Sequence, residues 1–362
     1  MEGFYYDDLF DENDNLQKDV LKAPTKLFIF RRFKDEETTE ERNMKQATRK
    51  FQLPRLDTEL TIHRGGDFNV GRAGMSYCDL IPSRLGGMGG RFIASHIKIP
   101  GGGPVRDNVH FHRVRFQMIF CVRGWVKVTY EDQGDPFILK KGDCVLQPPE
   151  IRHRVIESGD DLEVVEIGCP AQHATVFDYD LALPSAEVKP SRTYGDGHMF
   201  VRHEASKASW EPSASGHGSE FAATRIWQAT GGLARVRVYR MNGKNAKEVF
   251  KGGEFTFLFL LKVDCCSLDF EVSSYKKVVY SSKETDAQRV RLNCANQSIL
   301  IPFGADARMS LDAKGDNACA EFLFVDMPHD FETEGWPKTG WWPEIKKDAS
   351  TFQGTKRKRS DV

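Results

Sequence analysis

The 362-residue chain carries no excess of charge of either sign: 51 lysines and arginines stand against 52 aspartates and glutamates. That argues against the basic surface of a nucleic-acid binder and against attraction to an anionic membrane. No run of about 18 apolar residues occurs, so no membrane-spanning helix is expected. The start, MEGFYYDDLFDENDN, is acidic and lacks the basic and apolar segments of a secretory signal. None of the eight cysteines (Cys78, Cys121, Cys144, Cys169, Cys265, Cys266, Cys294, Cys319) belongs to a CxxC pair, and they read as reduced, mostly buried thiols. A cytoplasmic protein is expected, with a small-molecule substrate as its partner, no nucleic acid and no membrane; a homo-oligomer stays open.

What the chain does have is a succession of short apolar runs broken by glycine and proline. Residues 1–59 are polar and mixed in charge, and DEETTEERNMKQATRKF (35–51) reads as a helical or flexible arm. From residue 60 the texture changes to RFIASHIKI, FQMIFCV, WVKVTY, FILKKGDCVLQPP, RHRVIES and LEVVEIGCP. Runs of that length between turn residues favour an all-β sandwich or barrel. A Pro, Gly and Ser-rich stretch at 177–219 reads as a connector. A second strand series at 220–328 repeats the first weakly: GGMGGRFIASHIKI aligns with TGGLARVRVYRM, and KKGDCVLQPPEIRHRV with NCANQSILIPFGADARMSL. The expected organisation is an N-terminal arm (1–59), a β-barrel domain (60–176), the connector, a second barrel (220–328) and a C-terminal appendage (329–362). The last of these ends in Lys356, Arg357, Lys358 and Arg359, a run of the kind read by nuclear import, though short basic runs at a terminus are more often merely solvated.

The chemistry concentrates in HFHRVRFQMIFCVRG (110–124). On an extended strand, residues i and i+2 face the same way, so His110 and His112 project their imidazoles from one face. A reversal at RVRF returns Gln117 to the same point, and His153 follows in GDCVLQPPEIRHRV between turns at Gly142 and Pro148–Pro149. A lone strand histidine is usually a hydrogen-bonded core residue, whereas three at these intervals read as ligands of one cation, with the Gln117 amide open to three roles: weak ligand, orienter of a bound water, or hydrogen-bonding neighbour. By strand alternation Arg152 and Arg154 point away from His153. Arg91 and His96 are candidates for the barrel interior, and Arg113 and Arg115 flank the ligands. Cys121, Cys144, Phe116 and Trp125 read as core. His173, His198, His203 and His217 are too loosely spaced to form a second site.

These residues resemble the cupin superfamily. Its first motif, G-x5-H-x-H-x3,4-E-x6-G, is matched from the first histidine on by His110, His112, Gln117 and Gly124, with Gln117 where the family has glutamate. Its second, G-x5-P-x-G-x2-H-x3-N, is met by Gly142, Pro148 and His153, while Glu150 replaces the glycine and Glu157 the asparagine. The resemblance is strong over about 85–170 and weak over 225–328. It implies duplicated double-stranded β-helix (jelly-roll) barrels and one divalent metal per chain on His110, His112, His153 and Gln117. Aligning the repeat puts Val249, Lys251, Thr256 and Ala307 in the ligand positions of the second copy, which is therefore expected to be degenerate.

Within the superfamily the chain is similar to the two-domain ring-cleaving dioxygenases that act on gentisate-type substrates, which also share a PP turn like Pro148–Pro149. That likeness implies Fe(II) and a chelating hydroxy-aromatic, enediol or diketone. Two other classes stay open. One is a non-redox isomerase, lyase or hydrolase on Zn, Mn or Ni, with Tyr77, Tyr130, His96 or Glu166 as base; the other is a pirin-like binding or regulatory cupin.

Overall fold

The computed structural model describes residues 60–327, apart from 72–73, 82–91, 172, 215, 276–284 and 316. The arm expected at 1–59 and the appendage with its basic tail lie outside the described residues. Within them the architecture is all-β, the helices being single turns such as Ile226–Ala229. No helix there is long and apolar enough to cross a membrane.

Four principal sheets make two barrels. In the first barrel, one sheet orders the strands Val201–His203, Cys144–Leu146, Phe116–Arg123, Asp161–Cys169, Ile93–Pro100, Ser76–Asp79 and Asn69–Val70. The sheet opposing it orders Thr175–Phe177, His110–His112, His153–Ser158, Trp125–Tyr130 and Phe137–Lys140. Between them lies a core of Ile97, Cys121, Val126, Val128, Leu139, Val145, Leu162 and Val164. The second barrel repeats the plan, with Phe255–Asp264, Cys319–Met327 and Arg235–Asn242 at the centre of one sheet and Lys247–Lys251, Asp306–Ala313, Cys266–Val272 and Gln288–Leu292 forming the other.

The largest sheet of each barrel turns its outer face to the other. Phe92, Phe116, Met118, Phe120, Val165 and Ile167 from the first meet Val236, Phe255, Phe257, Phe259, Leu323 and Val325 from the second in one buried cluster. The Phe92 and Phe255 ring centroids are 4.8 Å apart. Strands covered on both faces have no solvent side to alternate with, which is why FQMIFCV and FTFLFLL read as near-continuous apolar runs, each with a single polar residue. Phe116, expected in a barrel core, packs instead between the barrels.

The chain laces the barrels together. Thr61–His63 precedes the first barrel yet pairs with Ser298–Ile301 at the edge of the second, setting Thr61 opposite Leu300. Within the connector, Val201–His203 adds to the first barrel and Trp210–Pro212 to the second. At the hairpin after Phe116–Arg123, Gly124 has φ +68°, and a Cβ there would lie 2.6 Å from Asp161 Oδ1 and 3.0 Å from its backbone. The motif glycine is thus fixed by both conformation and space.

The cross-strand register corrects the repeat alignment. In the first barrel His153 pairs with His110; in the second Ala307 pairs with Phe250. If Ala307 answers to His153, then Phe250 answers to His110, and the inward face of that strand carries Glu248 and Phe250. Val249, 45% exposed, and Lys251 point outward. A one-residue slip in a strand moves every side chain to the opposite face.

Candidate metal centre

His110 and His112 occupy alternate positions on a three-residue strand, with His153 opening the strand beside them. The ring centroids of His110 and His153 are 4.3 Å apart, those of His110 and His112 5.0 Å, and those of His112 and His153 5.2 Å. One ring nitrogen from each lies within 4.8 Å of the others, a cluster that fits one cation. His110 is 1% and His153 5% exposed.

The far side of each ring is fixed. Nδ1 of His110 lies 2.8 Å from the Asn108 carbonyl, and Nδ1 of His153 3.0 Å from that of Ile151. A carbonyl only accepts, so in both rings Nδ1 carries the proton and Nε2 keeps its lone pair for a ligand. Nδ1 of His112 is 3.0 Å from the Thr175 hydroxyl. Buried Asp107 stands 3.4 Å from Nδ1 of His110 through one carboxylate oxygen and accepts the Val155 N–H, 3.0 Å, with the other. Such outer partners orient a ligating imidazole and raise its basicity. Asp107→Ala is expected to weaken divalent-metal binding by about 10–100-fold, measured by competition with a chelating dye. An unchanged affinity would deny Asp107 this role.

Gln117 is buried on the strand Phe116–Arg123, its amide Nε2 donating to Glu166 Oε1 at 3.3 Å. Its Oε1 is buried with no hydrogen-bond partner. Leaving a buried acceptor unsatisfied costs about 1–3 kcal/mol, a debt that a cation or its bound water would cancel. The three imidazoles suit a first-row divalent ion.

Other candidates fall as follows. Arg154 is exposed and Arg152 faces outward, bonded to Asp178 at 3.1 Å and lying 4.4 Å over the Phe111 ring. Arg113 pairs with Glu150 at 3.3 Å. Arg91 lies outside the described residues. His96 is not in the barrel interior: its Nε2 lies 2.8 Å from a Glu163 carboxylate oxygen on the face toward the second barrel, its ring 5.5 Å from that of Phe259. Burial holds the imidazole of His96 below its ordinary range, against the pull of Glu163. Tyr130 stacks on His153 at 5.5 Å and accepts a hydrogen bond from Gln147, and burial pushes its hydroxyl well up. Cys121 is in the barrel core with its thiol pushed up to about 12 by burial, then by Asp143. Cys144 packs between the barrels.

Two features escaped the sequence. His173 comes beside His112, with ring centroids 5.3 Å apart and Nδ1 bonded to the Pro170 carbonyl at 2.9 Å. Phe177 pairs with His110 across the strands, its ring 5.9 Å away, and stacks at 5.9 Å and 20° on Tyr179, which is 78% exposed. The Asp178 between them is anchored to Arg152 and caps the Leu181 N–H at 3.2 Å, so the pair of rings is held in place. Neither has a local signal; both depend on the strand Thr175–Phe177 returning to His110–His112.

Comparison with known proteins agrees with this geometry. Residues 95–168 match the model of the cupin domain, a segment that contains all three histidines and Gln117. No curated protein sequence matches the chain. Among solved structures, a mutant of the Bacillus subtilis oxalate decarboxylase is similar at 12% identity and a TM-score of 0.50, covering 75% of this chain and 78% of that one. The Lactobacillus farciminis oxalate decarboxylase in its formate complex is similar at 12% identity and a TM-score of 0.50, covering 78% and 88%. At such identity the likeness shows the fold and nothing finer. Residues 95–168 thus carry a cupin domain, and the second barrel of the same plan gives the chain the two-barrel fold of those structures.

Proposed function

We propose that this cupin is an Fe(II)-dependent dioxygenase acting on a small, anionic, chelating substrate, a hydroxy-aromatic, enediol or diketone. The observation that carries the reading is the ligand set: His110, His112 and His153 are neutral donors, and the fourth motif position holds the neutral amide of Gln117. A divalent ion held by such a set supplies undiminished positive charge, open coordination positions and, as iron, a redox partner for dioxygen. The protein's own part is to fix His110 and His153 by their Nδ1 protons and His112 by the Thr175 hydroxyl, and to orient Gln117 through Glu166. The rings of Phe177 and Tyr179 beside His110 offer a flat apolar surface to a conjugated substrate.

Glu166 favours a second reading, a non-redox lyase. It is a partly buried carboxylate that accepts a hydrogen bond from the Gln117 amide, and if Gln117 serves the metal, Glu166 becomes the group to relay a proton. Oxalate, named for the solved structures above, is a bidentate dianion and belongs among the compounds tested.

Protein loaded anaerobically with Fe(II) and given dioxygen with each compound in turn tests both. Oxygen uptake with hydroxy-aromatic, enediol or diketone acids is expected. Carbon dioxide released from oxalate without net oxygen uptake would replace the first reading by the second. Metal-loaded protein inert to the whole panel would sink both.

Gln117→Glu is expected to bind the divalent ion more tightly, since carboxylate is the stronger donor, and to lose affinity for anionic substrates. Because Glu166 then faces a like charge, the metal-free form should melt lower and gain more from added metal. Differential scanning calorimetry with and without metal reads both effects; equal metal-induced shifts in the two proteins would remove Gln117 from the site.

A further inference from the structure

The second barrel has lost the histidines and gained arginines at the same end. Phe250, which answers to His110, stacks on Phe324 with centroids 4.7 Å apart, so hydrocarbon fills that place. Just outside this plug, the strand Arg235–Asn242 sets Arg235 and Arg237 on the face that continues inward to buried Tyr239 and Met241. Each guanidinium lies over a ring, Arg235 at 4.7 Å from the centre of Trp227 and Arg237 at 4.0 Å from that of Phe221. Asp326 stands opposite Arg235 in the register and 3.5 Å from its Nη1, while its other oxygen accepts the Thr256 hydroxyl at 2.9 Å. Arg237 donates to the Tyr239 hydroxyl at 3.2 Å and makes no ion pair among the described residues. Glu248, a further buried acid, lies beyond Phe250 and accepts from Ser219 and the Val249 N–H.

Of these two half-buried guanidiniums, Arg235 is paired with the Asp326 carboxylate, and Arg237 is held by a neutral hydroxyl alone among the described residues. Stacking uses the flat face of a guanidinium and leaves its in-plane N–H groups for a ligand. No nitrogen of either arginine is among the buried atoms lacking a partner, so the remaining donors are open to solvent. A planar fork of this kind matches a carboxylate in bidentate fashion. We infer that the open end of the second barrel is an anion site, in which Arg237 and Arg235 bind a small organic monocarboxylate against Phe221 and Trp227. The planar fork matches a planar carboxylate better than a tetrahedral phosphate. The site owes nothing to the metal reading, and each stands or falls alone.

The test is calorimetric titration of benzoate into the metal-stripped full chain, with inorganic phosphate as the second probe. One benzoate per chain is expected, unaffected by joint His110→Ala and His112→Ala substitution and weakened at least tenfold by Arg237→Gln. Arg235→Gln should weaken it as well. Arg237→Lys, which keeps charge but loses the fork, should bind benzoate several-fold less tightly; its melting temperature, recorded alongside, verifies that the barrel stands. Benzoate affinity equal in wild type and both Arg237 variants would overturn the site, as would loss of binding in the histidine variant. Phosphate bound as tightly as benzoate would overturn the carboxylate assignment.

Discussion

Replacing His110 with alanine is expected to abolish stoichiometric metal binding, reducing metal content after purification without chelators to background and removing any metal-dependent activity with it. The ring is 1% exposed, holds the shortest centroid distance in the cluster and is fixed by both the Asn108 carbonyl and Asp107. Removing a ligand takes away a donor outright, so the loss should exceed the roughly 100-fold that the most important outer partners cost. Circular dichroism should stay native, because the strand pairing of His110 with His153 and Phe177 is made by backbone groups. The small cavity left beside His153 and Phe177 should lower the melting temperature only modestly. Retention of one metal ion per chain by a folded His110→Ala protein would refute the assignment of the centre.

Phe255→Ala is expected to destabilise the whole molecule by about 3–5 kcal/mol, the usual cost of emptying a fully buried phenylalanine site. That is a large part of the roughly 5–15 kcal/mol by which folded domains are stable. Phe255 has no exposed surface and packs on Phe92 of the other barrel as well as on Phe257. Because this cluster is common to both barrels, they should still unfold together. Guanidinium denaturation followed by far-ultraviolet dichroism and by tryptophan fluorescence should give coincident, shifted transitions. Two separated transitions would mean that the inter-barrel cluster does not couple the barrels.

How much of this was legible in the sequence follows from how local each feature is. The i, i+2 placement of His110 and His112 needs only a strand, and His153 follows from turns at Gly142 and Pro148, so the cluster could be assembled from spacing. The protonated Nδ1 atoms were not legible, since Asn108 and Ile151 act through backbone carbonyls that carry no residue signature. His173 and Phe177 reach the site through a three-residue strand too short to show a period. The second barrel went astray at KEVFK, where Val249 and Phe250 are both apolar and either could face inward; only the pairing of Phe250 with Ala307 decides. His96 was misplaced for a related reason: its strand is covered on both faces, so apolar neighbours do not reveal which side is the barrel interior.

The lacing of the strands bears on how the molecule is made. Thr61–His63 leaves the ribosome before any of the first barrel, yet its partner Ser298–Ile301 arrives only when most of the second has been synthesised. Through that interval a strand with an apolar side and an unpaired edge must wait, while the first barrel can close around its own local hairpins. Closing so long a loop raises the entropic cost only slowly with length, but contacts so distant in sequence form late. The histidine cluster can therefore exist on the nascent chain before the far barrel is sealed, and the exposed edge at residues 61–63 is the point at which a chaperone, or a neighbouring unfinished chain, would find its hold.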